Sequence, residues 1–157
     1  MNFVSPTQGN LSMEQVVTEL HQYVKQAPDN QYKLVIGTDS HTTRTYTMMV
    51  SVILVHRIGQ GARFFYRKTR NRPLMDLRQR IYRETELSLE LVDALNKRGL
   101  NALTEKLPLE IHIDIGQQGD TKVLINEIMG WVTSVGYEAR IKPLSYGASS
   151  VADRFAE

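Results

Sequence analysis

The sequence predicts an α/β fold: a five-stranded mixed sheet, three antiparallel strands followed by two parallel ones, flanked by helices. Three observations carry this. Stretches of helical and of alternating apolar spacing follow one another in the order α, βββ, α, β, α, β, α. The first three strands are close enough in sequence to form an antiparallel meander, while helices link the later strands, which can therefore add in parallel. The 157 residues are enough for one core and short for two, so residues 1–157 read as a single domain.

The first helix is expected to begin at Ser12, because Ser12 and Gln15 have the spacing of a capping box. Met13, Val16, Val17, Leu20 and Val24 keep helical spacing, and Pro28 closes the segment. A strand is expected from Tyr32 to Thr38, ending in GTDSH. A longer one runs from about Thr45 to Ile58, with Met48, Val50, Val52 and Leu54 on one face. Met49, Ile53 and Val55 line its other face, so both faces should be covered. Gly59-Gln60-Gly61 turns into a third strand, Arg63 to Lys68.

Pro73 should start a long helix, Leu74 to Lys97, stopped by Gly99. Leu77, Ile81, Ser88, Val92 and Leu95 form its inward stripe. A strand from Leu109 to Ile115, a helix from Thr121 to Val135 stopped by Gly136, and a strand from Tyr137 to Lys142 follow. A last short helix is expected over Ser149 to Phe155. This order is that of the ribonuclease H fold.

Composition excludes some classes. With no cysteine, the chain forms neither disulfides nor thiolate metal sites. No run approaches the roughly 18 apolar residues that span a bilayer. The opening MNFVSPTQGN has no apolar leader core, so a cytoplasmic location is the expectation. The net charge of +2 is unremarkable; its distribution is more informative. Arg63, Arg67, Lys68, Arg70, Arg72, Arg78, Arg80 and Arg83 make eight of the 19 basic residues, opposed in that stretch only by Asp76. Such a block suits either a solvated face or a surface that attracts phosphate backbones.

Asp39 follows the first long strand, and Asp114 sits near the end of the fourth, inside IHIDIG. If those strands are neighbours, the two carboxylates converge at one edge of the sheet. Clustered carboxylates repel unless a cation lies between them, and Mg²⁺ or Mn²⁺ favours such oxygen ligands. The long helix can add a third acid. At 100° per residue, Glu84 flanks the inward stripe and Glu86 points nearly opposite, which favours Glu84. Asp153, in GASSVADRF, would be the fourth, since the small residues before it allow a close approach. His41 could face the same cleft, and Lys122, Lys142 and Arg154 are candidate phosphate contacts. His112 alternates with Asp114 on one side of the expected strand, whereas His21 and His56 read as ordinary structural residues.

The segments IGTDSH (36–41), HIDIG with GDTK (112–122) and IKP…YGASSVADR (141–154) together resemble the YkuK-type ribonuclease-H-like family. Gly130-Trp131 and the capped first helix extend the resemblance over nearly the whole chain. The resemblance implies a ribonuclease H fold, with Asp39, Asp114 and Asp153 on motif aspartate positions and Glu84 or Glu86 on the helix-borne glutamate. The leading expectation from the carboxylates is a metal-dependent nuclease that holds two ions about 4 Å apart around a scissile phosphate. Nucleic acid, of undetermined type, is the expected partner. A binding or regulatory module without catalysis is the alternative. Phosphotransfer, suggested by DIGQQGDTK, would need a second domain. The exposed faces of the second and third strands could support a homodimer.

Overall fold

The computed structural model of the chain describes residues 2–103, 106–116, 121–142 and 144–145. It begins with a hairpin absent from the sequence expectation, β1 (Phe3–Ser5) and β2 (Gly9–Leu11). Ser5 Oγ accepts from the N–H groups of Thr7 and Gln8 and so holds the turn. The capping box then forms as its spacing predicts. Ser12 Oγ accepts from the Gln15 N–H at 3.1 Å, and Gln15 Oε1 accepts from the Ser12 N–H at 2.8 Å. Two orphan donors are thereby satisfied. The helix α1 (Met13–Gln26) buries Val16, Val17, Leu20, Tyr23 and Val24.

β3 (Tyr32–Thr42), β4 (Thr47–Arg57) and β5 (Ala62–Asn71) form the antiparallel meander. β3 runs past Thr38, so Asp39 lies within the strand, opposite Val50, and not beyond its end. Thr43 and Tyr46 close the β3–β4 turn through a backbone bond of 2.8 Å. The helix α2 (Leu77–Asn96) starts later than expected from Pro73. Leu74 is held back because its N–H donates to Thr47 Oγ1 and its carbonyl accepts from Thr42 Oγ1. Gly99, at φ 100°, follows the end of α2 as expected.

β6 (Leu109–His112), α3 (Lys122–Ser134) and β7 (Glu138–Arg140) complete the described elements. β6 pairs in parallel with β3 and β7 in parallel with β6. Among the described residues the sheet has seven strands in the order β2-β1-β5-β4-β3-β6-β7, so the expected five is corrected by the N-terminal hairpin. Three-residue strands carry too little alternation to be seen in sequence, and β1 is set in place by its pairing with β5 at Val4 and Tyr66.

One core holds α1, α2 and α3 against a single face of the sheet, centred on Leu34, Ile36, Ile53, Val55, Phe65 and Ile111. Each such large apolar side chain contributes roughly 1.5–3 kcal/mol by leaving water. On the opposite face Val35, Val50, Val52 and Leu54 are also buried, beside the partly buried Met48, Phe64 and Tyr66. Both faces of β4 are thus covered, as its composition predicts. The face of the second strand expected to support a homodimer is accordingly buried at these positions within one chain. The helix expected over Ser149 to Phe155 lies outside the described residues. No described helix is long and apolar enough to cross a membrane.

Candidate active site

Strand alternation sends Thr38 and Ser40 toward α2, and Asp39 and His41 to the other face. Thr38 shares its hydroxyl with Ser51 at 3.0 Å and Ser88 at 2.9 Å, a buried network that fixes α2 over β3 and β4. One turn before Ser88, Glu84 comes to lie against Ser40. Ser40 Oγ donates to Glu84 Oε2 at 2.5 Å, while the Ser40 N–H donates to Asp39 Oδ1 at 2.9 Å. A single serine therefore links two carboxylates lying on either side of its strand.

Asp114 reaches the same end of the sheet from the neighbouring strand. The β3–β6 ladder ends at Gly37 beside His112. Two residues further along each chain lie Asp39 and Asp114, so the parallel register carries the two acids to the same edge. The expectation that β6 continues to Ile115 is corrected, because its ladder stops at His112. Beyond it the Ile113 N–H bonds to Arg140 O, and the Lys142 N–H to Ile115 O. That path brings Lys142 Nζ to 2.7 Å from Asp114 Oδ1.

Glu84 is only 5% exposed. Its Oε1 has no hydrogen-bond partner among the described residues. Burial pushes its carboxyl up to about 8, and the charges of Asp39 and Asp114 add to the rise. The Ser40 hydrogen bond and the Arg80 charge oppose it. Glu84 therefore feels the charges of both Asp39 and Asp114. Even so, among the described residues no three acidic or histidine side chains are placed to hold one metal ion together.

The remaining expected residues divide clearly. Glu86 is exposed and pairs with Arg83, so the long helix offers Glu84 and not Glu86 to the interior. His41 is exposed on the Asp39 side of β3, and Lys122 is exposed in the first turn of α3. Lys142 lies against Asp114, where it balances an acid as placed. His112 is buried and meets Glu110 Oε1 at 3.0 Å, so its neighbour is a structural acid. His21 meets the carbonyl of Gly99 at 3.2 Å. Asp153 and Arg154 lie outside the described residues. Sequence reasoning missed Ser40 and Arg80. Arg80 precedes Glu84 by four residues, a spacing that places both on one side of a helix and could have been read.

Comparison with known proteins gives two findings. Residues 15–157 match a family model described as Ribonuclease H-like. The chain is also 36% identical over 166 residues to "Uncharacterized protein YkuK" of Bacillus subtilis (strain 168), covering 99% of this chain and 96% of that protein.

Proposed function

Because the chain belongs to the ribonuclease H-like family, we propose that it is a divalent-metal-dependent nuclease acting on phosphodiester bonds. The observation that carries this reading is Glu84, a buried carboxylate with one oxygen unpartnered among the described residues and two like charges close by. Such an arrangement is costly in isolation and stabilised by a cation. Oxygen donors and no sulfur fit a hard ion such as Mg²⁺ or Mn²⁺. Asp39, Glu84 and Asp114 would hold it, with Asp153 as a further ligand from the end of the chain. When bound, the ion would supply an activated water and neutralise charge developing on the scissile phosphate.

The protein's own groups have separate tasks in this reading. Ser40 orients Glu84 and Asp39 together, as outer-shell donors do for ligating carboxylates. Thr38, Ser51 and Ser88 keep α2 at the height that Glu84 needs. Lys142 and Arg80 lower the charge of the acid cluster and would move onto substrate phosphate as it arrives. His41, Lys122 and Arg154 are the further phosphate contacts we assign, and the exposed Lys68, Arg70 and Arg72 extend the positive surface.

A second reading, a module that binds nucleic acid and cleaves nothing, rests on one fact. The described acids do not by themselves form a metal-binding group. Cleavage assays on labelled single-stranded DNA, RNA, hybrid duplex and four-way junction, with and without Mn²⁺, separate the two. The nuclease reading expects Mn²⁺-dependent cleavage of one class, abolished in Asp114→Asn. Salt-sensitive binding without cleavage of any class would favour the module.

A further inference from the structure

On the outer side of α2 lies a cleft of about 460 Å³ that the acid cluster does not use. Its walls include Tyr82 and Arg83 of α2, Trp131 of α3, and Asn71 and Arg72 from the end of β5 and the turn after it. Tyr82 and Trp131 are stacked, with ring centroids 5.7 Å apart and planes 24° from parallel. Both rings are only partly buried against the core, so the pair retains open surface. The Tyr82 hydroxyl donates to Glu127, which also pairs with Arg78, and the Arg78 guanidinium lies over the Tyr82 ring at 5.2 Å, so the face left for a base is on the Trp131 side of the pair. Arg83 is paired with Glu86 at the rim. Arg72 is exposed and has no ion-pair partner among the described residues.

The cleft adjoins the candidate active site through two connections. Leu74, in its wall, is bonded to Thr42, at the end of β3 that carries Asp39, and to Thr47 at the start of β4. Tyr82 and Glu84 are two residues apart on α2, about 200° around the helix. Their side chains therefore leave α2 on different sides, Tyr82 into the cleft and Glu84 toward Ser40.

We propose that this cleft takes an unpaired nucleobase, stacked on the Tyr82–Trp131 pair, with Arg72 on the adjoining phosphate. The proposal rests on the nucleic-acid reading and deepens it by naming the substrate class: a strand with at least one base free of a partner. Aromatic platforms with a flanking cation are how proteins hold single strands without reading sequence. The volume falls in the range of roughly 300–1,000 Å³ typical of small-ligand sites. A fully paired duplex keeps its base faces covered and presents nothing to stack.

The chain's sole tryptophan is Trp131, so its fluorescence reports directly on the cleft. The test titrates intact protein, in EDTA to exclude cleavage, with a short single-stranded oligonucleotide, the same backbone made fully abasic, and a blunt duplex. Saturable quenching by the intact strand is expected, with affinity about tenfold or more weaker for the abasic strand. Anisotropy of a labelled strand should show Trp131→Phe close to wild type and Tyr82→Leu clearly weaker. Arg72→Ala should lower the salt dependence of binding. Equal quenching by intact and abasic strands would overturn the proposal, as would binding of the duplex as tight as that of the single strand. Because no cleavage is read, base-dependent quenching in a protein that never cuts would sink the nuclease reading alone.

Discussion

Two buried glutamates in this molecule have opposite surroundings. Glu110, on β6, is 7% exposed and Glu84, on α2, is 5% exposed. Burial pushes the carboxyl of each upward. At Glu110 the His112 hydrogen bond, Lys33 at 3.7 Å and Arg140 at 3.5 Å outweigh it, and the group ends below its ordinary value. At Glu84 a single hydroxyl and the Arg80 charge are set against burial and two acids, and the carboxyl rises to about 8. Fold stability alone explains the first arrangement. It does not explain the second, in which like charges gather around a buried acid. On the function proposed above, the difference separates an acid that is part of the framework from one kept for a ligand.

The largest test of that contrast is Glu110→Ala. Removing the shared acid leaves the partly exposed Lys33 and Arg140 and the buried His112 without it, which should cost roughly 1.5–3 kcal/mol. For a chain of this size that is a fall in Tm of roughly 3–12 °C, read by thermal denaturation. A fall of less than about 2 °C would show that Glu110 is not a framework acid.

Next comes pH. A folded-state value of about 8 against an ordinary 4.5 means that the native protein keeps a proton the unfolded chain has released. The contribution of Glu84 to the stability of the metal-free protein should therefore be fully present below pH 4.5 and be lost, by a few kcal/mol in all, as pH rises to about 8. Glu84→Gln should remove that decline. Glu110 acts in the opposite sense: its lowered value contributes stability above about pH 4.5 that is lost as pH falls through its folded-state value. Denaturant melts from pH 4 to 9 in EDTA read both, and a Glu84→Gln profile parallel to wild type would break the comparison.

Smaller effects follow at the edges of the site. Ser40→Ala should weaken Mn²⁺ binding about tenfold, as loss of an outer-shell donor does, while changing stability by about 1 kcal/mol. Mn²⁺ titration and a denaturant melt of the same variant check the two halves. Glu86→Gln should change stability by less than about 0.5 kcal/mol, because its pair with Arg83 is exposed. A larger change in the melt would mean that the two helix glutamates are not as distinct as their burial indicates.

The parts of the fold that sequence reveals are those with a strong local signal. The Ser12 capping box, the stripe of α2 and the two-faced β4 are each written in consecutive residues. The β1–β2 hairpin is not, because three-residue strands depend on pairing with Tyr66 some sixty positions away. The limits of β6 were misjudged for a related reason. Ile113 and Ile115 continue the apolar alternation, yet their hydrogen bonds go to Arg140 at the end of β7, to Lys142 beyond it and to each other. For the candidate site, helical counting separated Glu84 from Glu86, and the β3–β6 pairing brought Asp39 and Asp114 together. The role of Ser40 was hidden, since nothing in GTDSH shows that its hydroxyl reaches α2. The Tyr82–Trp131 pair was equally hidden, because the two rings come from helices 49 residues apart in sequence.

The central claim is that Glu84 is left open for a divalent cation, and Mn²⁺ calorimetry at pH 7 tests it most directly. Run in two buffers of different ionisation enthalpy, the titration counts protons released as the ion binds. With Glu84 at about 8, the wild type should bind Mn²⁺ and release close to one proton, and Glu84→Gln should bind more weakly and release almost none. Failure of the wild type to bind, or binding with the same affinity and proton count in Glu84→Gln, would contradict the account.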